Sequence, residues 1–354
     1  MRFRTGILKQ RHPYITSRTN VGSRSTALLV ACCLLLLVAS CSDDDSPVQP
    51  DPISYASFGQ PEILVDTSGD TIDVGLYAVP ALADIDADGD LDLFIGEWWG
   101  QIWFYRNVGS ADSAAWHKVT ERYMQIDVGR SAAPAFVDID GDDDLDLLIG
   151  SNYSVGFGSG RLGWYRNVGS ITVDSFEVVT PSALNLTCTG IGKPFFVDAD
   201  GDSDSDMYFG YKDDFPESHH GLVYYRNDGD ENAPRWTLLT TEFAGLGEIS
   251  DAGSIYHNPC MLHLDSDTLL DLLVASHTAI KTYTRQVAAS GSSWEECSID
   301  GLTGLYLGRT PVLTTGDLNG DGIADLLLGR GAANDPDPYS DNTSGTLYFI
   351  PGLH

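Results

Sequence analysis

The sequence predicts an all-β fold, a five-bladed β-propeller of four-stranded antiparallel blades whose last blade is closed by the N-terminal strand. Three observations predict it. One pattern recurs five times, two further markers recur in phase with it, and the folded region opens on an outer-strand segment whose partners come only at the far end of the chain.

The pattern is clearest in PALADIDADGDLDLFIG (80–96), PAFVDIDGDDDLDLLIG (134–150) and PFFVDADGDSDSDMYFG (194–210), and weaker in PCMLHLDSDTLLDLLVA (259–275) and PVLTTGDLNGDGIADLLLG (311–329). The first loop positions are Asp84, Asp138, Asp198, His263 and Asp317, at intervals of 54, 60, 65 and 54 residues. Tyr105-Arg106-Asn107, Tyr165-Arg166-Asn167 and Tyr225-Arg226-Asn227 follow the first three copies, and an aromatic residue follows in phase at Phe58, Trp116, Phe176, Trp236 and Trp294. A fixed period of this length marks a repeat architecture.

Within one copy the apolar runs predict four strands: Ala135–Val137, then the Asp loop, then Leu145–Ile149, a third strand at Leu162–Arg166, and an outer strand around Phe176. The inner runs are apolar on both faces, as a sheet packed between two neighbours requires. Four strands at this period match a propeller blade. The chain supplies an outer strand first (57–65) and stops at a third strand (345–350), so the first strand completes the fifth blade and removes a free sheet edge. With 42% hydrophobic residues in 354, the chain can bury a sizeable core.

The N-terminus reads differently. Six of the 20 bases precede residue 27, and Ala27–Ser40 is a run of apolar or small residues, too short to cross a bilayer as a helix but suited to a signal peptide. The run ends in Val38-Ala39-Ser40-Cys41, which resembles the bacterial lipobox and implies a lipid on Cys41. Residues 1–40 are therefore expected to be a lipoprotein signal peptide, 41–56 an acidic and Pro-rich tether, and 57–354 the propeller. The Asp43-Asp44-Asp45 run beside Cys41 is similar to the signal that sends some Gram-negative lipoproteins to the cell surface, and the resemblance implies a place on the bacterial outer membrane. The folded part keeps three cysteines, Cys188, Cys260 and Cys297, and an odd count is no disulfide framework.

Acids outnumber bases by 51 to 20, which argues against a nucleic-acid partner and for cations. The loops of the five copies hold 22 of those acids. Copy one places Asp84, Asp86, Asp88, Asp90 and Asp92 at loop positions 1, 3, 5, 7 and 9, with Gly89 at the sharp turn. Copy two has Asp138, Asp140, Asp142, Asp144 and Asp146; copy three has Asp198, Asp200, Asp202, Asp204 and Asp206; copy five has Asp317, Asn319, Asp321, Ile323 and Asp325. Alternate side chains in a tight loop converge on one point, and hard Ca²⁺ takes six to eight such oxygens. Position 7 offers its backbone carbonyl. An EF-hand is excluded, because position 12 is Ile95, Ile149, Phe209 or Leu328 rather than Glu.

At these residues the chain resembles the FG-GAP/VCBS repeat family, the integrin-α-like propellers, over about residues 57–352. The resemblance implies Ca²⁺ held between the first and second strands of a blade, at about four sites here. Copy four opens with His263 and carries Thr268 at its turn, and is expected to bind poorly or not at all; Asp143 and Ser203 replace the turn glycine in copies two and three.

Hairpins alternate between the two faces, so the second-to-third turns lie opposite the Asp loops. They vary most and carry Trp98, Trp99, Tyr153, Phe157, Tyr211, Phe215 and Tyr339, the candidate surface for a protein or glycan ligand. The innermost strands carry no acid, and Asp127, Glu248 and Asp251 form no matched pair, so the sequence argues against the paired carboxylates of a glycosidase. The sequence-based expectation is a calcium-binding surface lipoprotein serving as a non-catalytic adhesion module, with a lectin-like carbohydrate-binding module as the alternative and a glycoside-active enzyme behind both. The membrane is contacted through the lipid alone.

Overall fold

The computed structural model describes residues 55–353 except 152–160, 171, 181–189, 214–218, 230–233, 241–257, 276–279, 289–290, 304, 306–310 and 331–344. It is a five-bladed propeller. Blade 1 is built from Val79–Ala83, Asp92–Gly96, Ile102–Asn107 and Trp116–Thr120, and blade 2 from Ala133–Val137, Asp146–Ser151, Arg161–Asn167 and Phe176–Thr180. Blade 3 continues with Phe195–Val197, Asp206–Asp213, His219–Asn227 and Trp236–Thr240, and blade 4 with Asn258–Leu262, Asp271–Ala275, Ile280–Ala288 and Gly291–Cys297. Blade 5 uses Val312–Gly316, Asp325–Gly329 and Leu347–Ile350 from the end of the chain and Glu62–Ile63 from its beginning.

The seam is as expected. Glu62 and Ile63 pair with Phe349 and Tyr348, and a second clasp sets Ser57 and Phe58 against Leu353 and Gly352. Pro80, Pro134 and Pro259 stand in innermost strands, which have a partner on one side only and so tolerate a residue with no N–H to donate. Gly96, at the end of a second strand, lies so close to the next blade that a Cβ there would collide with the carbonyl oxygen of Ala132.

The core consists of the interfaces between blades. Between blades 1 and 2, Phe94, Ile102, Phe104, Leu147 and Ile149 are buried together. Burying one such side chain contributes about 1.5–3 kcal/mol. Tyr123–Gln125 forms a single 3₁₀ turn in the link from blade 1 to blade 2, and its Tyr123 seals this interface against Phe94 and Phe104.

Two details differ from the sequence reading. The first strand of blade 3 is divided: Gly190–Ile191 and Phe195–Val197 both pair with Asp206–Asp213. Between them, Pro194 has no N–H and Lys193 turns across to blade 5, where its Nζ donates to Leu313 O at 3.3 Å. Tyr211, expected in the second-to-third turn of blade 3, belongs instead to the second strand and pairs with Gly221, while His219 and His220 already belong to the third. Cys260 and Cys297 lie on the innermost and outermost strands of blade 4 and are both free.

Candidate functional site

The Asp loops organise themselves around their first residue. Asp84 Oδ1 accepts from Asp88 N at 3.1 Å and Oδ2 from Gly89 N at 3.0 Å. Asp138 receives Gly141, Asp142 and Asp143 N–H groups, Asp198 those of Gly201 and Ser203, and Asp317 those of Gly320 and Gly322. The bend this demands is left-handed at position 6, where φ is 92° at Gly89, 70° at Asp143, 80° at Ser203 and 82° at Gly322. Only glycine adopts that conformation without a steric cost.

Folding brings positions 1, 3 and 5 together. Carboxylate oxygens of Asp84, Asp86 and Asp88 lie within 4.8 Å of one another, as do those of Asp138, Asp140 and Asp142 and those of Asp198, Asp200 and Asp202. Among the described residues, the side-chain oxygens Asp140 Oδ1, Asp144 Oδ1 and Asp204 Oδ1 are buried with no hydrogen-bond donor. Clustered, unpartnered hard oxygens fit a divalent cation, which would satisfy them and cancel their repulsion. Burial together with the charge of Asp142 pushes the Asp144 carboxyl up to about 6, and burial together with Asp202 does the same to Asp204. Asp90 is raised for the same reason. In copy five, Asn319 Nδ2 donates to Asp325 Oδ1 at 3.2 Å, and Ile323 N to Asp321 Oδ1 at 2.8 Å.

Position 9 stands apart from these trios. Asp92, Asp146, Asp206 and Asp325 are buried, and each holds its own third strand or that strand's extension. Asp92 accepts from Asn107 N, Asp146 from Asn167 N, Asp206 from Asn227 N and Asp325 from Gly352 N, at 2.7–2.9 Å. Asp92 Oδ2 remains buried without a donor among the described residues.

The Tyr-Arg-Asn marker, read in the sequence only as a sign of periodicity, has a chemical task. Its Asn side chain closes the turn to the outer strand: Asn107 Oδ1 accepts from Gly109 and Ala115 N–H, and Asn167 and Asn227 repeat this with Gly169 and Ser175, and with Gly229 and Arg235. Its Arg faces position 3 of the loop, in the pairs Arg106–Asp86, Arg166–Asp140 and Arg226–Asp200. Blade 4 lacks the scheme; His263 Nδ1 there donates to Leu269 O.

On the opposite face, Glu97 is buried and ties the turn of blade 1 by accepting from Trp99 N at 2.7 Å and Gln101 N at 2.8 Å; burial raises its carboxyl. Trp98 packs edge-on to Tyr77 over Val79, Ala133 and Val312, which belong to innermost strands of three blades, and Arg130 covers its ring at 4.4 Å. Trp99 is 66% exposed. Tyr153, Phe157, Phe215, Tyr339 and Cys41 lie outside the described residues.

Residues 84–149 match the FG-GAP-like repeat family. No curated protein matches the chain in sequence. Among solved structures, the chain is similar to the GH43_1 enzyme from Xanthomonas citri in complex with xylose, with 14% identity over 84% of this chain and 90% of that one, at a TM-score of 0.52. It is also similar to the endo-arabinase from Bacteroides thetaiotaomicron, with 13% identity over 83% and 98% at 0.49, and to a thermostable family-43 glycoside hydrolase, with 11% identity over 79% and 90% at 0.49. Identities this low show a shared fold. The likeness to the GH43_1 enzyme nevertheless corrects the sequence-based expectation of a non-catalytic protein, since the same fold serves a glycoside hydrolase. That expectation rested on acid-free innermost strands, whereas the solved propellers of this shape include glycoside hydrolases.

Proposed function

We propose that the protein is a calcium-binding propeller, held on the outer membrane by a lipid on Cys41, that recognises carbohydrate on the face carrying Trp98 and Trp99. Trp99 carries the ligand reading: an indole exposed on a turn fixed by Glu97, beside the packed Trp98–Arg130 pair, presents a flat apolar surface to the C–H face of a sugar. The shared fold with an enzyme solved with xylose supports the choice of ligand class. Hydrolysis of the bound glycan is a second reading, supported by the same likeness. The adhesion reading, with a protein in place of the glycan, draws on the same exposed ring. The unpartnered oxygens of the Asp loops support calcium.

A glycan array probed with the propeller tests the ligand, with binding lost in Trp99→Ala at an unchanged melting temperature. A silent array refutes carbohydrate recognition and leaves the protein ligand. Release of reducing ends from the glycans bound distinguishes cleavage from recognition. For the anchor, Cys41→Ala should move the protein from the detergent to the aqueous phase on partitioning.

A further inference from the structure

The interfaces between blades are not filled alike. Between blades 1 and 2, the stacked rings of Phe94 and Phe104, 4.7 Å apart, are covered by Phe136 and Tyr123. Between blades 3 and 4, Tyr208 and Tyr224 form the same stack at 4.5 Å, but Met261 stands at the repeat position of Phe136. There the interface opens beside the Asp loops as a cleft of about 940 Å³.

Two residues in this cleft break the repeat. Arg285 occupies the place of the turn-closing asparagine, and its N–H still donates to the position-9 carboxylate of Asp271 at 2.9 Å. The third and fourth strands of blade 4 run on to Ala288 and Gly291, so no asparagine turn is needed there. The Arg285 side chain instead lines the cleft, and its Nε is buried with no hydrogen-bond partner among the described residues. His263 stands on the rim in place of the first loop aspartate. A carbonyl can only accept, so the His263 Nδ1 bonded to Leu269 O carries a hydrogen. Trp294 and Tyr224 add aromatic wall, and Asp198 and Asp200 of the third loop form the opposite rim.

We propose that this cleft binds a carboxylate carried on a six-membered ring. Arg285 receives the carboxylate through a charge-assisted bond, and the ring lies on Trp294 and Tyr224. Asp198 and Asp200 would repel such a ligand, so binding requires a cation on the third loop; that requirement rests on the calcium reading proposed above. The chemistry fits a uronic sugar or an aromatic acid.

Calorimetric titration of the full chain in detergent and millimolar calcium, with glucuronate, benzoate and neutral methyl glucoside, tests the site. Glucuronate or benzoate should bind, and which of them does identifies the ring, while methyl glucoside stays silent. Arg285→Gln retains the backbone bond to Asp271 and should weaken binding by about tenfold or more. If that variant melts lower, Trp294→Leu on the outer strand should show the same loss. Chelator should abolish binding. Silence from both acids in a chain shown to hold calcium overturns the cleft alone, as does undiminished binding by both variants or equal binding of methyl glucoside. Acid binding that survives chelation overturns the cation requirement, and a chain that takes up no calcium overturns the reading beneath it.

Discussion

Arg106 Nη1 lies 2.6 Å from Asp86 Oδ2, and the pairing recurs, more loosely, between Arg166 and Asp140 at 3.7 Å and between Arg226 and Asp200 at 4.0 Å. In copy five, Pro351 takes the place of the arginine and Asn319 that of the aspartate, whereas copy four keeps Asp265 at position 3 but has Thr284 where the arginine would stand. Each arginine therefore acts as a fixed counter-charge that a metal ion must contend with.

Replacing Arg106 by Gln should tighten calcium binding at the first loop. A unit charge about 6 Å from a divalent ion in a water-like dielectric opposes it by about 1.4 kcal/mol, or about tenfold in affinity. The chelated variant should lose no more than about 1 kcal/mol, because the ion pair is exposed. Calcium titrations of wild type and variant decide the matter; weaker binding in the variant would show that the arginine positions Asp86 instead.

Ser203 holds φ at +80°, in the left-handed region that only glycine enters without a steric cost. Ser203→Gly removes a strain of about 1–2 kcal/mol and adds about 0.5–1 kcal/mol of unfolded-chain entropy, for a net gain of about 0.5–1 kcal/mol in denaturant melts. Asp143→Gly should gain less, since aspartate tolerates this region better. Gly89→Ala should destabilise. A Ser203→Gly variant less stable than wild type would contradict the backbone assignment.

Burial pushes the carboxyls of Asp92 and Asp146 up to about 7 from the ordinary 3.8. Between these values the folded chain holds more protons than the unfolded one, so these groups stabilise the fold as pH falls and destabilise it as pH rises through the window. The chelated protein should melt higher at about pH 5 than at about pH 7.5, contrary to ordinary acid denaturation. The calcium-loaded protein should show the opposite slope, because the ion must displace protons from the loops. Parallel slopes in the two forms would refute the coupling.

The five blades and their closure were legible because each depends on a local signal: alternating aspartates with a tight turn, an apolar run on either side, and an unmatched strand at each end. What the arginines do was not legible, since the spacing from Arg106 to Asp86 varies with loop length and the contact exists only after the third strand folds back. The burial of Trp98 beside an exposed Trp99 was equally hidden: both sit in one turn, and only the innermost strands of blades 2 and 5 decide which ring finds a wall. The cleft beside Arg285 could have been suspected from the loss of the asparagine and of the first loop aspartate in the same copy.

Calcium removal should lower the melting temperature by many degrees. Each site filled at 100 times its dissociation constant contributes about 2.7 kcal/mol. Asp88→Ala or Asp321→Ala should each remove part of that effect, whereas Asp267→Ala in the fourth loop should change it little. Magnesium should restore little, because it demands a tighter octahedral shell. A chelator-insensitive melt with no calcium uptake would reduce the loops to acidic turns.

The pairing of Glu62 and Ile63 with Phe349 and Tyr348 also fixes the order of events during synthesis. Blades 1 to 4 can assemble as the chain grows, since each draws its strands from one contiguous stretch. The fifth sheet is incomplete until Leu347–Ile350 is made, and until then Leu93 and Ile95 of blade 1 lack the full cover that Leu327 and Leu347 give them in the finished ring. A chain truncated before residue 347 is therefore left with an uncovered apolar face on its first blade, and synthesis must pass residue 350 before the earliest blade is finished.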